Sequence, residues 1–195
     1  MQFLNKNIVF LIVFIFSNYS FSDEVSNFKI EGIGLGDNLL EHFSKKQIDS
    51  NTVYDYYNSD KFVEVEIYDN KTFSNYNNIQ VSIKSDNYIV YAIAGFEFYE
   101  KDLHECFKKV DNVADQLKNL LPNAQKEENY KAHEADPAGE SIVKEITFWS
   151  DTGDVVASQC YDWSDSLTKN KGWTDNFNVT VYSSEFVEFL TSQAY

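Results

Sequence analysis

Period-two alternation recurs six times along this chain, interrupted by one long stripe of helical period, and this pattern leaves few folds open. From Phe62 to Tyr68, Val63, Val65 and Ile67 alternate with Glu64 and Glu66, and Ile79, Val81 and Ile83 then alternate with Gln80, Ser82 and Lys84. A Ser85-Asp86-Asn87 turn leads into Tyr88–Tyr99, where Tyr88, Val90, Ala92, Ala94, Phe96 and Phe98 share one face. Alternation with polar partners predicts antiparallel strands with one face toward water. Asp102, with Glu105 three residues on, predicts a capped helix start. Leu103, Cys106, Phe107, Val110, Val113, Ala114, Leu117, Leu120 and Leu121 then form a continuous apolar stripe, which Pro122 ends. Ser141–Trp149, Asp154–Trp163 and Trp173–Tyr182 read as three further strands, the first two joined by a Ser150-Asp151-Thr152-Gly153 turn. Asp37 and Ser184 are N-cap candidates for a first and a last helix. The expected fold is α+β: an antiparallel sheet, a central amphipathic helix and a C-terminal helix. The order helix, three strands, helix, three strands suggests a duplicated helix-plus-three-strand unit.

The opening residues predict an address rather than a structural element. Lys6 precedes an unbroken apolar run, Ile8–Phe16, followed by Ser20 and Ser22 three and one residues before Asp23. This is the pattern of a secretory signal peptide over residues 1–22, cleaved after Ser22. Nine residues of helix rise only about 14 Å, too short for a hydrocarbon core of about 30 Å. Residues 23–195 are then expected to form a single domain without a membrane span. Export also explains the cysteines. Cys106 and Cys160 are the only two, so the expectation is a structural disulfide tying the central helix to a strand.

Charge narrows the partners. Asp and Glu number 31 against 16 basic residues, every one of them Lys, for a formal charge of −15. An anionic chain without guanidinium groups is unsuited to nucleic acid or to bidentate phosphate recognition. The 19 Asn and the absence of Arg also match the coding bias of an AT-rich bacterial genome, which points to a periplasmic or secreted location.

No motif supplies a catalytic set. Asp151-Thr152-Gly153 matches the aspartic-protease triplet, but no second copy exists to share the proton, and a hairpin turn accounts for it. His42, His104 and His133 fall in three different elements and lack metal-ligand spacing. Gly32, Gly34 and Gly36 lack the spacing of a phosphate loop and read as a turn before the first helix. Glu64 and Glu66 lie on one face of a strand, where a solvated acidic face is the expected setting. Asp162 and Asp165 lack the Gly and terminal Glu of an EF-hand loop. Neither a cofactor nor a metal is called for. Two segments lack periodicity: Pro122–Gly139, with His133, Glu134 and Asp136, and Ser164–Gly172, a polar loop between Trp163 and Trp173. A long irregular connection and a loop flanked by large aromatics are the candidate contact surfaces.

The segment Phe28-Lys-Ile-Glu-Gly-Ile-Gly-Leu-Gly-Asp-Asn-Leu-Leu-Glu-His-Phe resembles the opening of a group of small exported bacterial proteins of unassigned activity. These share Ile-Glu-Gly-Ile-x-Ile/Leu-Gly-Asp-Ser-Leu-Leu after a signal peptide, with Ser where this chain has Asn38. A more distant likeness is to the helix-plus-sheet modules of outer-membrane assembly lipoproteins and beta-lactamase inhibitor proteins. This chain lacks the former's lipid-attachment Cys and the Gly-x-Pro that ends the corresponding helix. The expected function is a non-catalytic binding or envelope accessory protein whose partner is a protein or small molecule. The alternatives are a hydrolase using carboxylates such as Glu64 and Glu66, and a calcium-stabilised structural protein.

Overall fold

A computed structural model describes residues 25, 27–68, 73–99 and 103–194 of the chain. The expected signal peptide and the Asp102 cap lie outside the described residues. A short hairpin, β1 (Lys29–Ile30) and β2 (Ile33–Gly34), turns through Glu31 and Gly32 at positive φ. The first helical region is split rather than continuous from Asp37. A 3-10 turn at Leu39–Glu41 is capped by Asn38, and α1 (Lys45–Ser50) is capped separately by a Ser44–Gln47 capping box. The reason is local: Asp37 is used elsewhere, accepting hydrogen bonds from Gly34 N at 2.9 Å and Lys29 Nζ at 2.8 Å.

Eight strands make one antiparallel sheet. In chain order they are β3 (Thr52–Val53), β4 (Phe62–Ile67), β5 (Asn78–Lys84), β6 (Val90–Phe98), β7 (Gln125–Ala132), β8 (Ile142–Trp149), β9 (Val155–Asp162) and β10 (Asn176–Tyr182). The spatial order is β3-β4-β5-β6-β10-β9-β8-β7. It is palindromic: two four-strand meanders meet through their last strands, each meander preceded by a helix. Each half of the sheet therefore has four strands, not three, and in the second half the added strand is Gln125–Ala132, within the segment read as an irregular connection.

One sheet face carries the apolar alternation of β4, β5, β8, β9 and β10. Against it lies α2 (Leu103–Leu120), packed on β8, β9 and β10. Cys106, Val110, Ala114 and Leu117 are its buried stripe, at i, i+4, i+8 and i+11. Cys106 is bridged from that stripe to Cys160 on β9, and both are fully buried. This is the tie expected from the sequence. A bonded cysteine pair is consistent with folding in an extracytoplasmic, oxidising compartment. No described helix is long and apolar enough to cross a membrane.

The single face assigned to Tyr88–Tyr99 is split. Val90 pairs with Ile83 and Ala92 with Ser82, so a register shift inserts Tyr91 as an extra residue. Val90 joins the main core, while Ala92 turns to the opposite face. There, Phe62, Ala92, Phe186 and Phe189 form a second apolar cluster with Tyr57, built by α4 (Ser184–Ser192) returning onto the sheet. Ser183, not Ser184, is its N-cap. On the α2 face, Gly95 leaves room for a ring: a Cβ placed there would lie 2.7 Å from the ring of Tyr76. Gly95→Ala is expected to cost about 1–3 kcal/mol through this overlap, read as a lower urea midpoint at unchanged slope.

Candidate functional site

Three segments converge at the end of the sheet where β7, β9 and β10 are adjacent in sequence to their connections. They are the turn after β7, the last residues of β9, and α3 (Asp165–Lys171) with the chain leading into β10. The polar loop expected at Ser164–Gly172 is thus a helix. Ser164 caps it by accepting from Leu167 N at 3.4 Å, and Gly172 ends it at φ 71°. Its seven residues bury no side chain, which is why no apolar stripe announces it.

A hydrogen-bonded frame holds these segments in register. Asp136 Oδ2 accepts from Ser141 N at 2.8 Å and from Ser141 Oγ at 2.7 Å, while its Oδ1 accepts from Ala138 N at 3.0 Å. Ser141 Oγ in turn accepts from Ser164 N at 2.9 Å, coupling the turn after β7 to the start of α3. Asp175 Oδ1 accepts from Trp163 N at 2.7 Å, coupling the chain before β10 to the end of β9. Donation from the Ser141 hydroxyl, followed by the other donors, holds the Asp136 carboxyl down to about 2. Burial raises Asp175 and Asp162 above the usual carboxylate range, and each also feels a neighbouring acid.

The frame presents four rings. Trp163 lies 4.5 Å from Trp173 and 4.7 Å from His133, ring centre to ring centre. Tyr161 stacks on Trp163 at 5.2 Å with 17° between planes, and His133 is 5.5 Å from Tyr161. Trp173 is 36% exposed, and the other three are half-buried. Burial lowers the His133 pKa, favouring the neutral ring. Its Nδ1 accepts from Ala135 N at 3.1 Å, which places the proton of the neutral form on Nε2. The site can therefore offer aromatic faces and edges, one imidazole N–H and a rim of carboxylates.

Of the residues singled out from sequence, Trp163, Trp173 and His133 are brought together. Asp136 is a buried brace beneath them rather than a contact surface, because its oxygens are occupied by Ser141 and Ala138. Glu134 stays on the surface, 3.6 Å from Lys131. Tyr161 is the member that sequence reasoning missed; its position two residues before Trp163 on an alternating strand was the available signal.

The carboxylate pair on β4 behaves otherwise than expected. Glu64 is 2% exposed, not solvated, because α4 and the Tyr57 segment cover this face. The hydroxyls of Tyr57 and Ser82 both donate to its Oε1. Burial pushes its pKa up to about 7 against the lowering effect of those two donors, with the charge of Glu66 adding to the rise. Glu66 is half-buried and accepts from Tyr68 OH at 3.4 Å. Asp151-Thr152-Gly153 is a hairpin turn, with Gly153 at φ 87° and its N–H donating to Ser150 O at 3.1 Å. Among the described residues, no three His, Cys, Asp or Glu side chains converge on a metal-sized point. The chain matches no protein-family model, and no curated protein or solved structure is significantly similar to it.

Proposed function

We propose that this chain is an exported, non-catalytic binding protein of a bacterial envelope, with the Tyr161, Trp163, Trp173 and His133 cluster as its contact site. The observation that carries this reading is the braced grouping of rings from three separate segments at the surface. A fold needs no such grouping outside its core, and amphipathic rings of this kind concentrate at recognition sites. The disulfide and the signal-peptide pattern of residues 1–22 support a periplasmic or secreted setting. The surrounding Asp162, Asp165, Asp175 and Glu134, on a chain of formal charge −15, favour a neutral or cationic partner over an anionic one.

The test is native mass spectrometry of the mature protein taken unreduced from its own envelope extract, followed by Trp173→Ala. Trp173 is exposed, so the variant should melt within a few degrees of the parent. Affinity for the retained partner should fall about tenfold or more, the scale of a lost aromatic anchor. Unchanged affinity in Trp173→Ala and in Trp163→Ala would remove the cluster from the binding surface.

A further inference from the structure

The two edges of the sheet are unequal. One is β3, two residues long, and the other is β7, paired with β8 over eight consecutive residues from Gln125↔Trp149 to Ala132↔Ile142 without a register shift. Seven of the eight residues, all but Asn129, are exposed, and Tyr130 stands 68% exposed. No described strand pairs with its outer side. A long, unbulged edge is the geometry that accepts a further strand, and proteins usually shorten, bend, interrupt or charge it. Here neither proline nor bulge does so.

Charge selects the occupant. The chain as a whole carries −15, which repels a second copy almost everywhere. β7 is a neutral strip on that surface, with Lys126 and Lys131 balancing Glu127 and Glu128. Consider two copies of β7 meeting antiparallel about a twofold axis, in the two registers that overlap at least seven residues and keep opposite side chains on one face, centred on Glu128 or on Asn129. The register centred on Glu128 opposes that carboxylate with its own copy. The remaining register puts Asn129 on the axis, Glu127 opposite Lys131 twice, and Tyr130 opposite Glu128 twice. Residues directly opposite in an antiparallel pair share a face, so both ion pairs form on one side of the joined sheet.

We propose that β7 is a self-association edge, through which two copies of this chain join their sheets by antiparallel β7–β7 pairing centred on Asn129. The contact is small, so the dimer is a weak, reversible one rather than an obligate one. It uses none of the four rings, and touches their rim only through Lys131, which also pairs with Glu134.

Sedimentation velocity on the mature chain at about 150 mM salt, where surface repulsion is screened beyond about 8 Å, reads the association directly. A dimer fraction rising between micromolar and several hundred micromolar protein is expected. Glu127→Lys or Lys131→Glu alone turns both attractive pairs repulsive and should weaken the dimer about tenfold. An equimolar mixture of the two single variants should form a heterodimer, and the double variant E127K/K131E should recover parental association. These side chains are exposed, so the far-ultraviolet circular dichroism and melting of each variant should match the parent. A strictly monomeric parent, or a dimer indifferent to the single reversals, overturns the proposal. So does a mixture that associates no better than its components.

Discussion

Glu64→Gln is expected to make the protein more stable at pH 8 while leaving it unchanged near pH 4.5. The parent carboxyl has a folded-state pKa of about 7, raised by burial from an ordinary 4.5. Below 4.5 the group is protonated in both folded and unfolded chains and the folded state loses nothing. As pH rises, the unfolded chain ionises first, and the folded chain must either hold the proton or bury a charge. Stability therefore falls from about pH 4.5 to about pH 7 and stays low above it. The span corresponds to about 3 kcal/mol for a fully buried group. Glutamine keeps an oxygen for the Tyr57 and Ser82 hydroxyls and cannot ionise. The measurement is urea unfolding of both proteins from pH 4.5 to 8. Asp37, Asp136 and Glu185 are shifted downward and give the opposite trend in both proteins, so the difference between the two curves isolates Glu64. Parallel curves would show that Glu64 is not buried as a neutral acid.

Removing the disulfide is expected to have the largest effect of any pair of substitutions. The Cys106–Cys160 bridge spans 54 positions, and the chain-entropy model assigns such a loop about 4 kcal/mol of stabilisation. That is a large part of the 5–15 kcal/mol typical of a folded domain. A Cys106→Ala, Cys160→Ala double variant should melt about 8–16 °C below the parent for a chain of this size. Both sulfurs are fully buried between α2 and β9, so a reductant should reach them only after unfolding. Reduction of the native protein should then be slow, and fast once urea is added. A double variant melting within two or three degrees of the parent would mean that α2 docks equally well without the tie.

The same contrast between buried and exposed faces explains what could be read from the residues in order. β4, β5, β8, β9 and β10 were legible because one of their faces lies on the main core, under α2 in the case of β8, β9 and β10, and burial imposes an apolar residue at every second position. α2 itself was legible because a helix lying on a sheet must bury a stripe at i, i+4, i+8 and i+11. The disulfide followed from two cysteines, one on the stripe and one on a strand. β7 was not legible, since Gln125-Lys-Glu-Glu-Asn-Tyr-Lys-Ala at an open edge buries neither face and carries no alternation. α3 was missed for the same reason, with its seven residues lying on the surface.

Sequence by itself determined the α+β class, the central helix, its covalent tie to the sheet and the residues Trp163, Trp173 and His133 as worth watching. Those are consequences of local periodicity and of chemistry that each residue carries wherever it sits. Only the tertiary structure decided the palindromic strand order, the gathering of Tyr161 and Trp163 with His133 and Trp173 from two other segments, and the burial of Glu64. Each depends on which distant segment arrives: α4 and Tyr57 over β4, and α3 beside the turn after β7. Contacts between residues far apart in the chain follow from how the apolar faces close on one another, and no window of neighbouring residues contains that information.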